Sequence, residues 1–104
     1  MTRIETDVSA EIQEALDAIG VMVERVQCGA HRVRGGYLHC AKAGTPDLWT
    51  EFGWLEVKRD GKAKCRASQE LWHARAHRHG VRVAVVSSVA EALAVVREWR
   101  KSKR

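Results

Sequence analysis

The 104-residue chain has little of what builds a disulfide miniprotein or a rigid linker: three cysteines, one proline, one tyrosine and one phenylalanine. Cys28, Cys40 and Cys65 form an odd set with wide spacings and no Cys-x-x-Cys. Reduced thiols in a cytoplasm are therefore expected rather than a disulfide framework. No apolar run approaches the roughly 18 residues of a membrane span. Glu5 and Asp7 make the N-terminal stretch too acidic for a secretory signal. There is no internal repeat and no low-complexity tract, and the length suits one domain, 1–104. The expectation is a soluble, intracellular, single-domain protein with no membrane partner.

The formal net charge of +5 invites a polyanion as partner, but its distribution matters more than its size. Arg97, Arg100, Lys101, Lys103 and Arg104 stand against Glu98 at the C-terminal end. Glu5, Asp7, Glu11, Glu14 and Asp17 cluster early, while Lys58, Arg59, Lys62, Lys64 and Arg66 surround a single Asp60. Such a mid-chain patch suits phosphates and equally suits a solvated loop.

Periodicity divides the chain into elements. Val8, Ile12, Ala15, Leu16 and Ile19 make a helical stripe with Thr6 or Asp7 as N-cap and Gly20 as stop. Residues 21–26 read as a strand, and Gly29, Gly35 and Gly36 mark turns or a hairpin end. Residues 37–40 form a short strand. Gly44-Thr45-Pro46 breaks the chain, and strands over 47–52 and 54–58 flank a turn at Gly53. A helix runs from about Ser68 to His79 with Gly80 beyond it, followed by a β-branched strand over 81–86. Ser88 and Glu91 make a capping box for a last helix striped by Val89, Ala92, Leu93, Val96 and Trp99. The core order is α-β-β-β-α-β-α, an α/β fold with a mixed sheet flanked by helices.

The chemistry concentrates on the two strands around Gly53. Alternation puts Leu55 and Val57 on one face of their strand and Glu56 and Lys58 on the other. A hairpin places Asp47 across from Glu56 or from Lys58, all on one face, and a one-residue slip would destroy that grouping. Two carboxylates so close repel unless a cation sits between them. The fitting cation is Mg²⁺ or Mn²⁺, which takes carboxylate oxygens, water and substrate phosphate. Such an ion activates water and neutralises charge on a phosphoryl oxygen, with Lys58 placed to stabilise the same charge. The plain alternative for Glu56-Val57-Lys58 alone is a surface ion-pair ladder.

The ordered set of residues resembles the PD-(D/E)XK nuclease superfamily, and within it the virus-type replication-repair nuclease (VRR-NUC) branch. The likeness runs through Gly44-Thr45-Pro46-Asp47-Leu48, Gly53-Trp54-Leu55-Glu56-Val57-Lys58, Gly61, Ser68-Gln69 and Gly80-Val81. Glu11-Ile12-Gln13 resembles that family's first helix, which often carries a glutamate near the position of Ser9. The resemblance implies a restriction-endonuclease-like core and a metal-dependent DNA endonuclease. It implies Asp47, Glu56 and the Val57 carbonyl as metal ligands, Lys58 as the catalytic lysine and Gln69 as the helix glutamine. Glu11 joins them as a further acid, or stands as a surface acid beside the apolar stripe. Arg59, Lys62, Lys64 and Arg66 would hold DNA phosphates. Holliday-junction-like branched DNA, a homodimer, and a bacterial or phage-infected cytoplasm follow from the same resemblance.

Two other classes stay open. One is a DNA-binding module without catalysis. The other is a zinc-binding interaction module using Cys28, His31, His39 and Cys40. His73 and His77 also sit at i, i+4, but the glutamate of His-Glu-x-x-His is missing, and they read as surface histidines. Trp49 and Trp54 read as base-stacking or packing residues, Trp72 and Trp99 as packing.

Overall fold

The computed structural model describes residues 5–26, 30–33, 36–39, 44–58 and 67–102. Helix α1 spans Glu5–Ala18, followed by strands β1 (Val23–Arg25), β2 (Ala30–Val33), β3 (Gly36–His39), β4 (Leu48–Thr50) and β5 (Gly53–Val57). Helix α2 (Ala67–Arg78), strand β6 (Val83–Val86) and helix α3 (Val89–Lys101) complete the order. Strands β1, β4, β5 and β6 form one sheet in that spatial order. Neighbours pair antiparallel except β5 and β6, which are parallel and joined through α2. This is the expected α-β-β-β-α-β-α core with its mixed sheet. Between β1 and β4 the chain makes a separate two-stranded sheet, β2 with β3, in which His31 pairs with Leu38 and Ala30 with His39. The expected turns around Gly29 and Gly35, and all three cysteines, lie outside the described residues.

One face of the sheet carries the apolar core. Val8, Ile12 and Leu16 of α1 and Ala92 and Val96 of α3 close over Leu48, Leu55, Val57 and Val86. Burial of a Val, Leu or Ile side chain contributes about 1.5–3 kcal/mol, so this face supplies most of the apolar stabilisation. The opposite face belongs to α2, whose only buried residues are Gln69 and Ala76. Its leucine, Leu71, is 68% exposed. Helix α2 therefore docks chiefly through polar and aromatic contacts.

Local chemistry sets the ends of the elements. Gly20 and Gly80 take positive φ just past α1 and α2, as expected of C-terminal stops. The Ser88 hydroxyl caps α3 by accepting the Glu91 N–H at 3.1 Å. The Glu91 carboxylate returns to the N–H and hydroxyl of Ser87, one residue earlier than a reciprocal box requires. Helix α1 begins ahead of Thr6 and Asp7, so neither is its N-cap.

The turn between β4 and β5 is made by Glu51 and Phe52, with Gly53 already in the strand. Thr50 shapes it. Its hydroxyl accepts the N–H groups of Phe52 and Gly53 and donates to the Gly53 carbonyl at 2.7 Å. Gly53 is needed for space rather than for the turn, since a Cβ there would run into the Trp99 ring and the Arg82 Cβ.

Gly44 has both constraints at once. Its φ is +93°, and an added Cβ would overlap the Ser68 carbonyl at the start of α2. Gly44→Ala is expected to cost about 2–4 kcal/mol in urea unfolding, combining backbone strain with the forced displacement of α2. Gly20→Ala, at φ +81° in open space, is expected to cost only about 1–2 kcal/mol.

Candidate active site

The register of β4 on β5 pairs Leu48 with Leu55, Trp49 with Trp54 and Thr50 with Gly53. One step further along, Asp47 lies across from Glu56, which is one of the two expected arrangements. Asp47 stands at a bend just before β4. Its carboxylate replaces the ladder there: Oδ2 accepts the Val57 N–H at 2.8 Å. In a strand, the N–H and C=O of one residue point to the same side. The Val57 carbonyl therefore opens on the side where the Asp47 carboxylate lies.

Glu56 and Lys58 project from β5 toward α2 and are almost fully covered, at 1% and 7% exposure. Gln69, in the first turn of α2, lies between them. The Lys58 Nζ donates to Gln69 Oε1 at 2.9 Å, and Gln69 Nε2 donates to Glu56 Oε2 at 3.1 Å. The direction is forced. An ammonium has only donors and an ionised carboxylate only acceptors, so the amide must turn its oxygen to the lysine and its nitrogen to the glutamate. The structure thus brings Gln69 together with Glu56 and Lys58.

His73 is the residue that sequence reasoning misplaced. It is not a surface histidine: it sits one turn after Gln69 on the same flank of α2, with Nε2 3.7 Å from Glu56 Oε1. That separation is too long for a hydrogen bond. Burial, and then the Lys58 ammonium, hold the His73 imidazole below its ordinary range. The available signal was the i, i+4 spacing from Gln69, which places both on one helical face.

Of the other expected site residues, Glu11 is half-buried on α1, beside the stripe of Val8, Ser9, Ile12 and Leu16 that enters the interior. Arg59, Lys62, Lys64 and Arg66 lie outside the described residues, as does Gly61. Of the zinc reading, Cys28 and Cys40 also lie outside them, and His31 and His39 are placed only by strand pairing. Among the described residues no group of three or more His, Cys, Asp or Glu side chains is placed to hold a metal. What is present is a set of hard oxygens: the Asp47 and Glu56 carboxylates and the Val57 carbonyl. Such a set fits an ion that keeps much of its water, as Mg²⁺ does, and does not fit a closed protein cage.

The four-stranded mixed sheet carries α1 and α3 on one face and α2 on the other. A solved structure described as "VRR_NUC domain" is similar to this chain, with a TM-score of 0.65 and 24% identity over 89% of this chain and 94% of that one. The chain thus has the VRR_NUC fold. No protein-family model and no curated protein matches it.

The bridging amide sets a stability expectation. Gln69→Leu keeps the volume but takes one hydrogen bond from a buried ammonium and one from a buried carboxylate, at an expected cost of about 1–3 kcal/mol in urea unfolding. Glu70→Ala, next along the helix and exposed, is expected to shift stability by less than about 0.5 kcal/mol.

Proposed function

We propose that this chain is a metal-dependent DNA endonuclease that hydrolyses phosphodiester bonds and prefers branched DNA. The observation that carries the proposal is the buried Glu56–Gln69–Lys58 chain beside Asp47 on a VRR_NUC fold. A surface ion-pair ladder would leave these groups in water. Burying them instead costs several kcal/mol per charge, a penalty that a functional site gives reason to retain.

In this reading Asp47, Glu56 and the Val57 carbonyl hold Mg²⁺ or Mn²⁺. The ion supplies Lewis-acid activation of water and neutralises phosphate charge when bound. The chain's own residues do the rest. Asp47 is oriented by the Val57 N–H, and Glu56 by the Gln69 amide. Lys58, held by the same amide, presents its ammonium to the negative charge that grows on the phosphoryl oxygens, and helps to place the attacking water. Preorganised charge of this kind is worth more than acid–base help alone, because it needs no rearrangement as the reaction proceeds. Glu11 serves as an additional acid from α1. Arg59, Lys62, Lys64 and Arg66 grip flanking phosphates. Two copies related by a two-fold axis would offer two such sites to the two strands of a junction.

The test is a gel assay with and without Mg²⁺ on a four-way junction, a flap and a linear duplex. Cutting of the branched substrates that depends on the metal is expected, and equal cutting of all three removes the junction preference. DNA binding without any cleavage in Mg²⁺ or Mn²⁺ would favour the non-catalytic module instead. Lys58→Arg replaces a compact point charge with a planar fork and is expected to slow cleavage by about 10²-fold or more while circular dichroism is retained. An unchanged rate would remove the role given to Lys58.

A further inference from the structure

Two residues of β5 and Lys58 just beyond it alternate onto the face that α2 covers, and Glu56 and Lys58 belong to the site. The third is Trp54, two positions before Glu56 and so about 7 Å away along the strand. It meets Trp72 of α2 edge-on, with ring centroids 5.2 Å apart and planes at 67°. An edge-on contact covers one face of one ring, and both tryptophans are only half-buried. Beside the pair opens a cavity of about 380 Å³, bounded by Trp54, Trp72, Thr45, Arg75 and His79 among others. Thr45 belongs to the same turn as Asp47, so cavity and site share one loop as well as one strand.

Size and chemistry restrict the occupant. The volume lies near the lower end of small-ligand pockets, room for one heterocycle and not for a duplex. Trp54 and Trp72 line it together with the aliphatic Ala76 and Val81, and Arg75, His79 and Thr45 add a guanidinium, an imidazole and a hydroxyl to the lining. Aromatic rings next to a cation are how proteins hold an unpaired base. A base inside a duplex has both faces covered by its neighbours and must leave the stack to reach such a pocket.

We propose that the Trp54–Trp72 pocket takes an unpaired nucleobase adjoining the phosphate presented to Asp47, Glu56 and Lys58. The inference rests on the nuclease reading and refines it. A nucleotide already unstacked, at a branch point or bulge, is the preferred substrate because its base enters without the cost of unpairing.

The experiment uses the full chain in Ca²⁺, to limit cleavage, and two duplexes with a single-nucleotide bulge. One bulge carries thymine and the other an abasic sugar, so charge and backbone are the same. Fluorescence anisotropy is expected to show about 5- to 100-fold tighter binding of the thymine bulge. Trp72→Leu is expected to bind both bulges equally. A second readout needs no variant: photocrosslinking of a 5-iodouracil bulge to the unaltered protein is expected to map to Trp54 or Trp72. Equal binding of the two bulges by the unaltered protein overturns the pocket, as does a base preference that survives Trp72→Leu or a crosslink mapping elsewhere. Metal-dependent cleavage with no base preference overturns the pocket alone. Failure to bind any DNA overturns the nuclease reading with it.

Discussion

One side-chain amide, that of Gln69, holds the polar face of this protein together. It stands between a lysine that can only donate and a glutamate that can only accept, and it satisfies both with one orientation. Because Gln69 lies in the first turn of α2, the same two hydrogen bonds that order the charged groups also dock the helix. Site and fold are therefore coupled at this point. Helix α2 has no apolar stripe that would seat it independently, and its leucine faces water.

The two faces of the sheet divide the work. Under α1 and α3, Leu48, Leu55, Val57 and Val86 meet aliphatic side chains, and this face provides stability without directional demands. Under α2, Glu56 and Lys58 are buried at a desolvation cost that the apolar face must offset. Asp47 adds a second economy of design. By accepting the Val57 N–H at the bend before β4, it satisfies a backbone donor and fixes its carboxylate at the position across from Glu56 in one step. Gly44 makes the arrangement possible by letting the loop before Asp47 pass against Ser68, where a side chain has no room.

Much of this could be read from residue order. Strand alternation is a parity, so separating Leu55 and Val57 from Glu56 and Lys58 required no knowledge of the rest of the molecule. The choice between two hairpin registers was settled by the tight turn at Glu51 and Phe52, which Thr50 locks. The neighbourhood of His73 was harder to read. Helical spacing says that it shares a face with Gln69, but a helix with so few apolar residues does not announce which flank meets the sheet. Trp72, expected as a packing residue, does meet Trp54 edge-on, and it also lines a cavity that no local pattern announces.

The order of elements, the pairing of acidic and basic groups on one strand face and the resemblance in fold followed from the chain's own pattern, because they depend on neighbours within a few residues. The docking of α2, the path from Lys58 through Gln69 to Glu56, the turn of His73 toward that carboxylate and the hollow beside Trp54 depend on groups ten or more positions apart. Only close packing in three dimensions selects among the contacts such groups could make, since burial penalises every polar atom that fails to find a partner.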